Sequence, residues 1–348
     1  MESVKEQALY RGIIARKYSY LLIFAAICIV TLLIDVLVGP AWLSVPDVVK
    51  AIFGLASVEP TTEIIVWTLR LPTALMAIVV GATLGIAGAE MQTILDNPLA
   101  SPYTLGISAG AGFGAALAMV VGGGKLPIPA DYLIPISAFV FALLTCLLIY
   151  FIGRAKAITA ETMVLAGIGL LFLFQALLAL LQYMATAEAL QAIVFWLFGS
   201  LMKATWPKVG LVAAVLVIVL PLIAKDAWKL TALKLGDEKA KSLGINVEKL
   251  RLKTFVLVSL LTASAVCFVG TIGFIGLVGP HIARMLVGED QRFFLPLSAL
   301  GGALMLSVAS IGSKMIIPGA IFPIGIVTSL IGVPFFFSLI LTQKKRYW

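Results

Sequence analysis

Charge is scarce in this chain. Only 12% of its 348 residues are Asp, Glu, Lys or Arg, against about 25% in a soluble domain. That scarcity excludes a large soluble core. A mean hydropathy of +1.10 and a hydrophobic fraction of 61% point instead to an integral membrane protein. Cysteine is scarce too. Cys28, Cys146 and Cys267 lie far apart, each inside an apolar run, so they offer neither metal-ligand spacing nor a disulfide framework. His281 is the single histidine. It has no catalytic partner in the sequence, and a structural hydrogen-bonding role is expected of it. No Gly-x-x-x-x-Gly-Lys-Ser/Thr pattern occurs, which excludes a phosphate loop of that class. If ATP drives this protein, another chain must bind it. An intramembrane hydrolase would need a paired nucleophile and base or a metal cluster, and the sequence shows neither. No cofactor is expected.

What the chain does have is apolar runs. Ten can be read, over residues 20–38, 72–92, 104–121, 132–153, 163–183, 208–224, 254–272, 275–288, 294–314 and 320–341. The eighth is short and carries Pro280. The first follows Arg11, Arg16 and Lys17. It is close to the roughly 20 residues that cross the hydrocarbon, longer than the core of a secretory signal. An even number of spans puts both termini on one side, and the positive-inside rule chooses which. With the termini cytoplasmic, 19 of the 25 Lys/Arg fall in inner loops and tails and six in outer loops. Eight of the inner ones lie between Lys225 and Lys253. The net charge of +8 therefore sits in loops facing an anionic membrane surface, not in a nucleic-acid site. The expectation is an all-α protein of the cytoplasmic (inner) membrane, with about ten spans, a single transmembrane domain over 1–348 and both termini cytoplasmic.

Two stretches hint at an internal repeat. "VGATLGIAGAEM" (80–91) and "VGTIGFIGLVGP" (269–280) both begin Val-Gly and space small residues through an apolar run. Five spans separate them, so the copies would insert in opposite senses, as inverted repeats of transporters do. The second stretch spaces Gly273, Gly276 and Gly279 three apart before Pro280. Period three holds no helical face and proline removes a donor, so a broken segment is expected there, covered by protein or lining a water-filled cavity. "DNPLASP" (96–102) reads as a comparable break. "GISAGAGFGAA" (106–116) places Gly106, Gly110 and Gly114 four apart, a flat stripe that lets another backbone approach. Helix packing is the expected role, and a helix beside a transport pathway the alternative. Glu90 is an acid near the inner end of the second span, close enough to the polar break to reach water. In "VFWLFGSLMKATW" (194–206) the aromatics fit a membrane interface or a short helix lying over an outer vestibule.

The longest polar interruption is "KLGDEKAKSLGINVEKLRLK" (234–253), with six basic and three acidic residues. Asp237 can cap a short helix and Gly244 can end it. Asn246 can cap a second helix. Ala240 and Leu243 would share a face, with Leu235 and Ile245 at its flanks. A solvated loop needs no paired caps and no apolar face, whereas a docking surface for a cytoplasmic partner needs both.

With these motifs assembled, the chain resembles the FecCD-type permeases, membrane subunits of type II ABC importers for iron-siderophore, haem and cobalamin. The resemblance runs over about residues 20–341. It rests on "LRLPTALMAIVVGATLGIAGAEMQTILDNPLASPYTLGISAGAGFGA", "WLFGSL", "LGDEKAKSLGI", "GTIGFIGLVGPHIARMLVG" and "FPIGIVTSLIGVPFFFSLI", in that order. It implies ten spans, a second permease subunit (a further copy or a related chain), two cytoplasmic ATPase subunits and an extracytoplasmic substrate-binding protein. It makes the loop over about 225–253 the ATPase-coupling loop, with Asp237, Glu238, Ala240, Leu243 and Gly244 matching the motif. It places the inner gate at Thr159 to Thr162, where this chain reads "TAET", and Gly106, Gly110 and Gly114 beside the pathway. It gives Arg70 and Lys314 to the outer face as contacts for acidic residues of the binding protein. Apart from the resemblance, an ion-gradient-driven secondary transporter is the alternative, with Glu90 and His281 as the residues that stand out for it.

Overall fold

Apolar runs this long must satisfy every backbone N–H and C=O within themselves if lipid surrounds them, and the helix does so. The computed structural model describes residues 2–40, 43–54, 58–122, 129–156, 158–317 and 319–342. The basic tail Lys344, Lys345 and Arg346, used in the charge count, lies outside them. Among the described residues the chain forms α1 (Glu2–Leu37), α2 (Val45–Phe53) and α3 (Pro60–Ile64), then a π-helical turn (Ile65–Arg70) that runs into α4 (Leu71–Ile94). There follow α5 (Ile107–Val121), α6 (Ala130–Lys156), α7 (Ala160–Met184), α8 (Ala187–Leu197) and α9 (Trp206–Ala224). Two short helices, α10 (Ala227–Leu233) and α11 (Asp237–Ser242), precede α12 (Val247–Val269), α13 (Ile275–Val287), α14 (Gln291–Met315) and α15 (Ile324–Thr342). The π turn falls just before Pro72, where a proline lacks its donor and crowds the preceding turn.

Among the described residues, seven helical stretches are long and apolar enough to cross a membrane by themselves: Tyr10–Leu37, Pro60–Ile94, Ala130–Lys156, Ala160–Met184, Trp206–Ala224, Val247–Val269 and Gln291–Met315. That is fewer than the ten runs read from the sequence. The runs 104–121, 275–288 and 320–341 hold α5, α13 and α15, which are not among those seven. In the first and third the helix starts three or four residues into the run, whereas in the second it starts with the run at Ile275 and is 13 residues long. Gly106 stands at φ 77 and Phe274 at φ 68, both left-handed, and residues 320–323 are non-helical ahead of α15.

α4 is the centre of the molecule. It packs against α14, α12 and α13, while α1 and α15 flank α14 and the group α5, α6 and α7 packs on the other side of α12. The α4 contacts are made backbone to backbone. A Cβ on Gly88 would lie 1.8 Å from the Gly276 carbonyl oxygen, and one on Gly85 2.2 Å from that of Ser298. From the other side, a Cβ on Gly302 would lie 2.2 Å from the Gly81 oxygen. Small residues permit such crossings where lipid offers no hydrophobic drive between helices. The two stretches read as a repeat thus meet each other, but their local structures differ. Residues 80–91 are unbroken helix inside α4, whereas 269–280 spans the gap between α12 and α13.

The two ends of the bundle differ in construction. At one end α2 and α3 fold over the C-terminus of α1 and the start of α4, burying Val36, Val48, Ala51, Val66 and Ala74 together. At the other end α10 lies beside α4 and the start of α14, and α11 packs on α10 and α12.

Candidate coupling surface and transport pathway

The loop end is assembled from a charged segment. After α9 the chain turns at Asp226. Burial alone would raise the Asp226 carboxyl, but hydrogen bonds and charge from Lys229 and Lys253 reverse this and hold it below the usual carboxylate range. α10 is fixed from beneath. The Thr231 hydroxyl accepts from the Gln291 N–H at 3.1 Å, and Lys234 Nζ bridges Asp96 at 2.5 Å and Glu289 at 3.4 Å. Gly236 and Gly244, at φ 98 and 81, make the bends on either side of α11, a backbone region that favours glycine. Asn246 caps α12, its side chain accepting from Lys249 N at 2.9 Å, as the sequence reading expects.

Two expectations for this segment change. Asp237 is not the cap of α11: Gly236 holds that position, and the Asp237 carboxylate is freed to take Arg251 in a forked pair with contacts of 3.0 and 3.2 Å. Ala240 and Leu243 do not share a face. α11 is only six residues long, so Leu243 falls at its C-cap. Ala240 and Ile245 turn inward and are buried, while Leu235 and Leu243 are 57% and 53% exposed. Glu238 and Gly244 are exposed as well.

The "TAET" residues form the entry to α7. The Thr159 hydroxyl accepts from Thr162 N at 3.2 Å, and the two hydroxyls lie 3.1 Å apart. Glu161 is exposed between them. Gly110 and Gly114 sit against α6, where added Cβ atoms would meet Thr145 Oγ1 at 2.1 Å and the Ser137 oxygen at 2.5 Å. Gly106 lies off that contact, turning the chain into α5 against the backbone of Leu171 in α7. The stripe is therefore split between two neighbours, and what it does geometrically is packing.

The expected break between α12 and α13 is present but confined to residues 270–274, with Gly276, Gly279 and Pro280 inside α13, and it is tied to the end of α8, which is tied in turn to the start of α15. Ser200 N donates to Val269 O at 2.7 Å, Gly325 N donates to Phe198 O at 2.9 Å, and the Thr271 hydroxyl donates to Leu197 O. The end of α8, the break and the start of α15 are so tied together beside a cavity of about 720 Å³. Apolar side chains dominate its wall, among them Phe198, Phe274, Leu277 and Leu330, with Tyr103, Thr104, Thr271 and Ser329 as hydroxyl groups. Such a wall can slide past a bulky neutral or weakly charged ligand without holding it. His281 lies on α13 edge-on to the Phe335 ring, 6.0 Å between centroids. Glu90 is fully buried in α4, with neither carboxylate oxygen bonded among the described residues. Trp206 stacks near Trp67 and donates to its carbonyl at 2.8 Å.

Arg70 and Lys314 are not projecting charges. They are 6% and 8% exposed. Lys314 Nζ donates to Asp35 Oδ1 at 2.7 Å and to Asp35 O at 2.9 Å, and Arg70 Nη1 donates to the carbonyls of Val36 and Leu37 at 3.1 and 2.8 Å. Both cations close the C-terminal end of α1, where carbonyls have no helical partner. Asp35 is a functional residue that the sequence reading lacks, and an acid inside an apolar run is the signal for it.

The family model described as the FecCD transport family matches residues 27–342. The Fe(3+)-citrate import system permease protein YfmE of Bacillus subtilis is 38% identical over 94% of this chain and 96% of its own length. The vitamin B12 import system permease protein BtuC of Vibrio vulnificus is 34% identical over 94% and 95%. Among solved structures, an ABC transporter described as of metal-chelate type, in an inward-facing conformation, superposes with a TM-score of 0.82 at 31% identity. That match covers 93% of this chain and 99% of the other.

Proposed function

This chain belongs to the FecCD transport family, and from that premise we propose that it passes an iron chelate inward between two permease subunits. It is the membrane permease of an ABC importer and not its ATPase. The ligand class we favour is an iron chelate, with haem and a corrinoid as the other members of the family's range. The apolar, hydroxyl-dotted cavity wall is compatible with a bulky chelate and places no residue that would single one out.

The observation that carries the reading is the loop end. A charged segment is bonded down along its inner side and leaves Leu235 and Leu243 facing outward. Exposed leucines flanked by charge, on a surface fixed from beneath, suit the docking of a soluble partner. The partner is a cytoplasmic ATPase subunit, and α10 and α11 with Asp237, Glu238, Ala240, Leu243 and Gly244 receive its stroke. This puts the loop end and both termini in the cytoplasm. Ten crossings result if α5, α13 and α15 each count as one. α5 alone, at 15 residues, would span about 22 Å, short of the hydrocarbon but extended by its non-helical approaches. Thr159 and Thr162 form the inner gate. Gly106, Gly110 and Gly114 serve it by holding α5 against α7 and α6. A binding protein delivers ligand at the opposite end, which Arg70 and Lys314 shape by holding α1. The test is co-purification of the cognate ATPase subunit with wild type and with Leu243→Asp. Loss of the ATPase from an inserted, folded variant is expected; undiminished capture would overturn the docking assignment.

A further inference from the structure

One side chain joins the coupling surface to both non-helical links that surround the inner end of the pathway. Arg251 stands in the second turn of α12 and is 3% exposed. Its Nε donates to Ile94 O at 2.7 Å, its Nη1 to Ile158 O at 3.1 Å, and its two terminal nitrogens to the Asp237 carboxylate. Ile94 O belongs to the last turn of α4, immediately before the non-helical segment 95–106. Ile158 O belongs to the link that leads into Thr159 and α7. Asp237 is the first residue of α11. Three segments distant in sequence therefore converge on a single planar fork.

We infer that Arg251 is the positioning residue through which displacement of α11 reaches the Thr159–Thr162 entry of α7 and the end of α4. This rests on the coupling and gate assignments above. Among the described residues, the ion pairs of α11 are Lys241 with Glu238, inside the helix, and Asp237 with Arg251, which leaves it. A pull on α11 is thus delivered to a guanidinium that is otherwise enclosed. The guanidinium cannot follow without moving or releasing the Ile94 and Ile158 carbonyls, because its donors are fixed relative to one another. Lysine would keep the charge and lose the fork, since one ammonium on a flexible stem does not hold three separated acceptors in a defined geometry.

The experiment uses the permease assembled with its ATPase subunits and binding protein in proteoliposomes. Thr162→Cys is labelled with a membrane-impermeant maleimide, with and without ATP; Thr162 is half-buried and the native Cys28, Cys146 and Cys267 are buried. ATP is expected to change the labelling rate in the otherwise wild-type complex. Adding Arg251→Lys or Asp237→Asn is expected to shrink that response about tenfold, within the usual range for coupling between sites. Asp237→Asn leaves the Ile94 and Ile158 bonds in place, so it reports transmission even if Arg251→Lys assembles poorly. A purely structural clamp would lower the yield or melting temperature and leave the ATP response of the assembled fraction intact. That result in Asp237→Asn would overturn the proposal. Labelling that ignores ATP in the wild-type background, while ATP still drives uptake, would instead overturn the gate assignment on which it rests.

Discussion

The inner and outer helices of this bundle solve opposite problems. The stretches containing α4, α12 and α14 are the least apolar of the seven long ones; in the most apolar 18 residues of each, mean hydropathies are 1.8–2.0 and 50–67% of residues are buried. On the same measure the stretches of α1, α6, α7 and α9 have mean hydropathies of 2.4–2.7 and are 17–33% buried. The most hydrophobic helices are thus the most exposed. In water the order would be reversed. In lipid the outer helices need only be greasy, while the inner ones need close backbones and hydrogen-bonded side chains. Hence α4 contributes glycines to its crossings, and α14 presents Ser310 and Lys314 to Asp35.

Leucine placed at matched glycines should break the comparison most sharply on the inside. Gly88→Leu drives a side chain into the Gly276 carbonyl, and both partners are backbone, so the neighbour cannot swing away. Overpacking typically costs about 1–3 kcal/mol, and rigid backbone on both sides places this case at or above the top of that range. Loss of the folded, detergent-stable protein in size-exclusion chromatography is expected.

Next comes the buried pair at the end of α1. Lys314→Met leaves the Asp35 carboxylate enclosed and uncompensated, a loss of about 3–5 kcal/mol for such pairs. A large fall in thermal midpoint should follow, with partial recovery in the double variant Asp35→Asn with Lys314→Met. Equal midpoints for wild type and Lys314→Met would show that water reaches this site.

At the loop end the expected effect is functional. Gly244→Pro asks a residue at φ 81 to adopt a φ near −65°, and uptake should be abolished while the protein still inserts. The smallest effect belongs to the outer shell. Gly169 on α7 has nothing within 4 Å of its added Cβ, so Gly169→Leu should leave monomer stability within about 0.5 kcal/mol. A drop as large as that of Gly88→Leu would mean that this face of α7 is covered in the assembly.

Much of this was legible in sequence where a motif carries its own local geometry. Asn246 before a helix, Gly244 at the end of α11, and a break between α12 and α13 are such cases. What failed depended on partners far along the chain. Lys314 at the end of an apolar run reads as exposed until Asp35, 279 residues away, is brought against it. Asp237 reads as a cap until Arg251 competes for it. The inward turn of Ala240 and outward turn of Leu243 could not be read because a six-residue helix has no face long enough to show a period. A hydropathy run likewise ignores left-handed residues, so the late start of α5 after Gly106 was not legible in it.

We propose that ATP in a partner chain, received at α10 and α11, drives this permease. This is tested most directly by uptake into proteoliposomes holding the permease, its ATPase subunits and its binding protein. Ferric citrate, haemin and cyanocobalamin serve in turn as radiolabelled probes. Wild type and Leu243→Asp are compared with and without ATP, and with and without ionophores that collapse ion gradients. Wild-type uptake of one probe is expected to require ATP, ignore ionophores and vanish in Leu243→Asp. Uptake that proceeds without ATP, collapses with the ion gradient and survives Leu243→Asp would contradict it.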